Sequence, residues 1–463
     1  MRKKLFSIAS ALVLLAGVLA GCSGGNNEKA SPSPSASSSP SGSESAPASE
    51  GGASEQKPSG SITVLTQRTD IVDILQGEFT EEFNKAYPDI EVKWEAVQDY
   101  ENNIKIRMNT EDYGDVLLIP NNIEPKDYPN FFEPLGDYET DKTVYSQIDQ
   151  RRFEGKYYGI PMAINTLGIV YNKKVFADAG ITQMPKTPAE FLEAMHKIKD
   201  NTDAIPLYTN YKDNWTLSQW ADYLQPASGD PNYPNIGVLE DPNPWAPGKP
   251  YNDIFKLMYD VANQGLIEED PTTTDWESSK GMINRGEIGT MVLGSWAITQ
   301  MQGAGPNPDD IGYMPFPTNA AKLSAPLAAD YNWSINVHSK NKEAANAFIH
   351  WVVDESDYAT KYQGGFSAKF DENGQLQIPE LLQGFQDLGV TMELSTPGPD
   401  DLNGVLTAID NDSEVGIHNP DFKTRLIEAA IGNRKETFDE IMKDLDDRWN
   451  KSWQKLIPEN YKK

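Results

Sequence analysis

Cysteine is all but missing from this chain of 463 residues, and Cys22 is the only one. Disulfides within the chain and cysteine-rich metal centres are thereby excluded. Histidine is nearly as scarce: His196, His338, His350 and His418 are the full set, none paired at short metal-ligand spacing. Basic residues are outnumbered, 40 against 69 acidic, for a formal net charge of −29. Such a surface argues against nucleic acid and long polyanions and favours solubility near a membrane, but it names no ligand. His-Glu-x-x-His, Walker and Gly-x-Gly-x-x-Gly motifs are absent. Asp270, Asp275 and the acidic run Asp410–Glu414 are conceivable Ca²⁺ ligands, yet none has EF-hand spacing, so they read as solvated acidic loops. No metal and no cofactor is expected. A long apolar run occurs only once, at Leu5–Leu19.

That run follows Arg2, Lys3 and Lys4 and is too short for a comfortable spanning helix, which needs about 20 residues. Its flanks read as an export signal. Leu19-Ala20-Gly21-Cys22 resembles the bacterial lipobox, in which the cysteine thiol is diacylated and the peptide is cut before it. Residues 1–21 are therefore expected to be a lipoprotein signal peptide and Cys22 the lipid anchor. The bland alternative is an ordinary signal peptide with a chance cysteine. Two acyl chains hold a protein on a membrane where one holds weakly. Residues 22–60 are rich in Ser, Pro and Gly, with few apolar side chains, and are expected to be a disordered tether. A flexible chain of that length spans roughly 35 Å root mean square. The expected location is the extracellular face of the cell membrane.

The body beyond it exceeds the size at which one core stops growing, so at least two lobes are expected. Ser61–Leu65, Ile90–Trp94 and Asp115–Ile119 read as strands, separated by helices over Asp70–Tyr87 and Tyr100–Met108. That order predicts an α/β fold with a mainly parallel sheet. Ligands bind such sheets beyond the carboxyl ends of strands, which directs attention to Thr66–Asp70 and Pro120–Lys126. Further on, Tyr157–Tyr171 is β-like, and Ala189–Ile198, Pro250–Asn263 and Trp276–Ile283 read as helices. Ile288–Leu293 reads as a buried strand ending at Gly294-Ser295-Trp296. Trp215–Gly248 has weak periodicity and reads as an elaborated loop region with short helices. Asn341–Val353 and Asp421–Leu456 supply later helices.

Gly155-Lys156-Tyr157-Tyr158-Gly159-Ile160-Pro161, followed by Gly168-Ile169-Val170-Tyr171-Asn172-Lys173, resembles the segment around the first interlobe crossing of extracellular sugar-binding proteins. These are the solute receptors of ABC importers, the maltose-binding protein class. Ala179-Gly180-Ile181, Pro185 to Phe191, Gly286 to Met291, Gly294 to Ala297 and Ile311 to Pro317 continue the resemblance in order. Ala429 to Arg434, through Thr437 to Glu440, resembles the helix pair that closes the second lobe. The resemblance implies a class II periplasmic-binding-protein-like fold: two α/β lobes with crossing hinge strands around a ligand cleft. Lobe 1 would comprise 61–165 and 332–366, and lobe 2 would comprise 166–331 and 367–463. It implies a carbohydrate receptor, not an enzyme, that is monomeric and docks on two permease subunits served by a cytoplasmic ATPase. Pro120-Asn121-Asn122 aligns with a loop that in the family offers an aromatic and polar groups to sugar; here Asn121 and Asn122 replace the aromatic. Trp296 falls on the family's cleft tryptophan, Trp215 lies near another aromatic, and Asp330 and Trp333 fall near the cleft floor.

The residues support a sugar site on their own terms. Sugars have C–H faces and hydroxyl rims, so a fitting site joins flat aromatics to fixed donors and acceptors. The chain has 10 Trp and 20 Tyr, many beside Asn, Asp or Gln, as at Asn214-Trp215, Gln219-Trp220, Asp275-Trp276 and Asn332-Trp333. Each has a structural alternative. Trp296 and Trp333 could be core aromatics, Asn121 a helix cap or turn residue, and Trp215 and Trp220 packing for an insertion. Trp245 reads as a loop anchor, and Trp449 and Trp453 as packing on one helix face. Glu287 and Asp330 could be imagined as a glycosidase pair, though so many carboxylates make a chance pairing common. The rival from another class is a surface carbohydrate-binding or adhesion protein with no transport role.

Overall fold

Two mixed sheets divide the folded chain. The computed structural model describes residues 57–121, 123–402 and 404–462. The signal peptide, Cys22, nearly all of the tether, and Asn122 lie outside them. In the first sheet Ile90–Ala96, Gly60–Thr66 and Val116–Leu118 run parallel, and Asn332–Asn336 lies antiparallel beside Val116–Leu118. Ile160–Pro161 and Phe132–Glu133 pair with that last strand. In the second sheet Ile164–Asn172 is central and antiparallel to Ile288–Gly294, Ile311–Met314 and Ser324–Ala329. Ile205–Leu207 and Thr391–Leu394 add parallel edges. The three strands expected to lie parallel do so, and the returning strand Asn332–Asn336 makes the sheet mixed. Apolar stretches such as Ile164–Asn172 give no signal of direction.

The chain passes between sheets at three places that touch. Ile160–Pro161 lies in the first sheet and Ile164–Asn172 in the second; Ser324–Ala329 lies in the second and Asn332–Asn336 in the first. Met162 N–H donates to Tyr331 C=O at 2.9 Å, and Asp330 N–H donates to Ala163 C=O at 3.0 Å. The third passage joins on through Ile164 and Phe366, which exchange backbone bonds of 2.9 and 2.8 Å. Gly365 is required there, because a Cβ would meet Ile164 C=O at 2.6 Å and Asn165 Oδ1 at 2.7 Å. Beyond it the chain still pairs with the first-sheet side, since Ser146 N–H donates to Ala368 C=O and Phe370 N–H to Val144 C=O.

Strand Ile90–Ala96 alternates buried and exposed positions with the two-residue strand period. Ile288–Gly294 is buried throughout; Met291 and Leu293 feed one apolar core and Val292 the other. The first core also packs Phe79, Trp94, Phe348 and Trp351, and the second joins the helices Pro250–Asn263, Asp421–Ala430 and Phe438–Leu456. The last of these starts on a capping box, Thr437 with Glu440, as does Pro188–Asn201 with Thr187 and Glu190. The helix expected over Asp70–Tyr87 contains a π turn at Leu75–Phe79. The Thr80 hydroxyl takes up the Leu75 carbonyl at 2.7 Å, and the wider turn leaves both Leu75 and Phe79 in the core.

Candidate functional site

Side chains from both sheets and from the passages converge on one cavity of about 660 Å³, within the usual range for small-molecule sites. The first-sheet side contributes Gln67 to Asp70 beyond strand Gly60–Thr66, Asp99 to Glu101 at the start of helix Tyr100–Arg107, and Asn121 beyond strand Val116–Leu118. These are the carboxyl ends of parallel strands, where α/β sheets place ligands. The second-sheet side contributes three tryptophans, Trp215, Trp276 and Trp296, with Lys280 and two glutamines. Asp330, Tyr331 and Gln363, from the passages, complete the lining. A larger groove of about 850 Å³ runs past Tyr171, Tyr313 and Phe385, and no tryptophan lines it.

The indoles form a continuous wall. Their centroids lie 5.1 Å apart for Trp215 and Trp276, 5.6 Å for Trp276 and Trp296, and 5.7 Å for Trp215 and Trp296. The rings meet edge-on or tilted, at 49–80°, and line the cavity together, with Lys280 5.0 Å from the Trp276 ring centroid. Trp296 opens a helix two residues after Gly294, where a Cβ would meet its indole nitrogen at 2.5 Å. Trp215 follows two asparagines at positive φ, Asn210 (53°) and Asn214 (61°), a strained path of the kind that marks functional loops. Trp276 follows the helix cap Asp275, which accepts from Ser278 N–H at 2.8 Å. The Trp215 and Trp276 loops are tied together: Trp276 N–H donates to Asp213 at 2.9 Å and Lys212 N–H to the Thr274 hydroxyl at 2.8 Å.

Opposite this wall lie polar groups held by one another. Arg68 is 3% exposed and grips both oxygens of Asp70 at 2.8 Å, while its other nitrogen donates to Tyr362 C=O. Burial works against charge on both partners. Their mutual bonds outweigh it, so Arg68 is raised and Asp70 held below the usual carboxylate range. Glu101 accepts the backbone and side-chain N–H of Asn121 at 3.1–3.2 Å, and Arg151 donates to Asn121 Oδ1 at 3.0 Å. Asp330 accepts from Asn165 Nδ2 and from Tyr331 N–H, each at 2.7 Å. Burial pushes its pKa up, and those two bonds and the nearby Arg68 pull it back only in part.

Asn121, Trp215, Trp296 and Asp330 therefore share one cavity. Trp333 does not join them: it is fully buried, packed edge-on against Trp94, Phe348 and Tyr358 at 5.3–6.4 Å. On a strand flanked by first-sheet neighbours, alternate side chains leave the cleft, and Trp333 takes the core face. Trp220 is buried against Phe316, Trp245 stacks on Tyr251 at 4.3 Å, and Trp449 and Trp453 are buried in the second core. Glu287 pairs with Arg285 at 2.7 Å and does not line the cavity, so it forms no pair with Asp330. Asp270 and Asp275 cap helices, Asp410 accepts from Ile417 N–H, and no group of three metal-ligating side chains forms among the described residues. Sequence reasoning passed over Arg68, Asp70, Glu101 and Lys280. The strand-end rule located the loop carrying the first two, but nothing local marks which of its side chains turn inward.

The model of the bacterial extracellular solute-binding protein family matches residues 67–359. The chain belongs to that family. The family model and the solved structures that this chain matches are those of solute-binding proteins. Among solved structures it resembles an ABC-transporter binding protein of Bifidobacterium animalis subsp. lactis in complex with mannobiose, at 35% identity and TM-score 0.77, covering 86% of this chain and 95% of that one. A manno-oligosaccharide specific solute binding protein from the same organism, in complex with mannotriose, matches at 34% identity and TM-score 0.78 with the same coverage. The diacetylchitobiose binding protein of Streptomyces coelicolor is 26% identical over 239 residues, 50% of this chain and 51% of that protein. The chain spans little more than half the length of the first curated relatives it matches.

Core and cleft tryptophans should separate in a urea melt. Trp333→Ala is expected to lower stability by about 3–5 kcal/mol. Trp215→Ala, at 37% exposure, should cost about 1 kcal/mol. Equal losses would contradict the division.

Proposed function

We propose that this chain is a lipid-anchored extracellular receptor that binds a carbohydrate in the cleft and delivers it to an ABC importer. The wall of three indoles facing a fixed polar wall carries the reading. A pyranose has apolar C–H faces that stack on indole and a rim of hydroxyls that donate well to ionised carboxylates. Asp70, held ionised by Arg68, retains lone pairs for such hydroxyls, and Asp330 adds a second acceptor at the cleft base. The likeness to mannobiose- and mannotriose-bound proteins favours a short manno-oligosaccharide as first candidate.

The aromatic wall belongs to one sheet and most of the polar wall to the other, so a sugar touching both favours a closed arrangement. Closure would be a hinge motion at the three passages, driven by the ligand's greater affinity for the closed form. The closed receptor, a monomer, would dock on two permease subunits with an ATPase inside. Acylation at Cys22, with the tether over residues 22–60, would keep it at the outer face of the membrane. A surface adhesion role without transport is the rival, and it predicts normal growth on the bound sugar when the receptor is deleted.

Titration calorimetry against mannobiose, mannotriose and a panel of other oligosaccharides tests the ligand. Saturable binding is expected, weakened about tenfold or more in Trp296→Ala through lost stacking. No binding across the panel, or unchanged affinity in the variant, would overturn the assignment. The anchor has a separate readout. A palmitate analogue fed to cells should label the protein, and Cys22→Ser should abolish labelling and release the protein to the medium. Persistent labelling of Cys22→Ser contradicts it.

A further inference from the structure

The cavity's charges are unevenly matched. Five carboxylates line it, Asp70, Asp99, Glu101, Glu277 and Asp330, against two cations, Arg68 and Lys280. Both cations are already taken. Arg68 holds Asp70 in a two-pronged pair and donates its remaining nitrogen to Tyr362 C=O. Lys280 is buried, lies 3.0 Å from both Glu277 oxygens, and sits 5.0 Å from the centre of the Trp276 ring. Each is already engaged by a carboxylate, so a ligand anion would have to compete with that carboxylate for either cation.

Asp99, Glu101 and Asp330 instead have neutral partners. Asp99 accepts from Asn102 at 2.9 and 3.0 Å, Glu101 from Asn121, and Asp330 from Asn165 and a backbone N–H. No Lys or Arg forms an ion pair with any of the three among the described residues. A helix N-terminus is the usual home for a ligand anion. Here the N-terminus of helix Tyr100–Arg107 does reach the cavity, and Asp99 and Glu101 set two negative charges beside it, with no side-chain cap from Asp99. Asn121 faces the same space, and its backbone N–H and one side-chain N–H donate to Glu101.

Resting on the carbohydrate reading above, we propose that this cleft selects its glycan by charge, admitting neutral sugars and excluding those that carry a carboxylate, sulfate or phosphate. An anionic sugar entering it would lose hydration, gain no unpaired cation, and lie near three carboxylates, the exposed Asp99 and the half-buried Glu101 and Asp330. A neutral sugar meets the same carboxylates as acceptors for its hydroxyls.

Three probes of one shape test this: mannotriose, mannotriose with its primary alcohols oxidised to carboxylates, and the same compound as the carboxamide. Carboxamide and carboxylate match in size and differ in charge. The carboxamide is expected to bind, and the carboxylate about tenfold or more weaker than it at low salt, a gap that narrows in about 0.5 M salt as screening grows. Carboxylate binding as tight as carboxamide overturns the proposal. So does equal loss of both derivatives while mannotriose binds, since size would then be the criterion. Failure of all three, mannotriose included, contradicts the mannoside reading and takes the proposal with it.

Discussion

The Asn165 amide is the point on which the cleft depends. It donates to Asp330 at 2.7 Å and accepts the Ser295 hydroxyl at 3.1 Å, joining two of the passages to the strand end that launches Trp296. Around it, backbone bonds tie Met162 to Tyr331, Asp330 to Ala163 and Ile164 to Phe366. Three chain passages held in one hydrogen-bonded layer fix the cleft base, and the side chains above it come from the first turns of helices and from loops at strand ends. A buried carboxylate without a cationic partner within bonding reach is costly, and Asp330 is retained at this point with two strong donors in compensation.

Above that base the two walls are built by different means. Glycine and strained asparagine set the aromatic wall: Gly294 clears space for the Trp296 ring, and the path through Asn210 and Asn214 swings Trp215 toward it. The polar wall is set by pairing, Arg68 with Asp70 and Glu101 with Asn121, so each acceptor is aimed before any ligand arrives. Groups aimed in advance lose less freedom on binding.

Much of this was legible in the residues. The strands at Gly60–Thr66 and Ile90–Ala96 and the helix Pro250–Asn263 follow from period and punctuation, and the helix from its proline start. Trp296 was legible through the resemblance of Gly294-Ser295-Trp296-Ala297 to the family segment that delivers an aromatic to the cleft, and it lines the cavity. Trp333 was not: it lies three residues past Asp330 on strand Asn332–Asn336, where a shift of one residue exchanges cleft for core. Strand direction in the second sheet was equally hidden, since apolar runs such as Ile164–Asn172 do not record which neighbour they oppose. The π turn at Leu75–Phe79 and the pairing of Arg68 with Asp70 arise from tertiary contacts that no local pattern carries.

A crystal structure of the protein grown with mannotriose would show where the sugar sits. Pyranose C–H faces are expected in van der Waals contact with the Trp296 wall, with hydroxyls within hydrogen-bond reach of Asp70 and Asp330, between the two sheets. Sugar seated instead in the groove beside Tyr171 and Phe385, or a cleft with no sugar at saturating concentration, would contradict that placement.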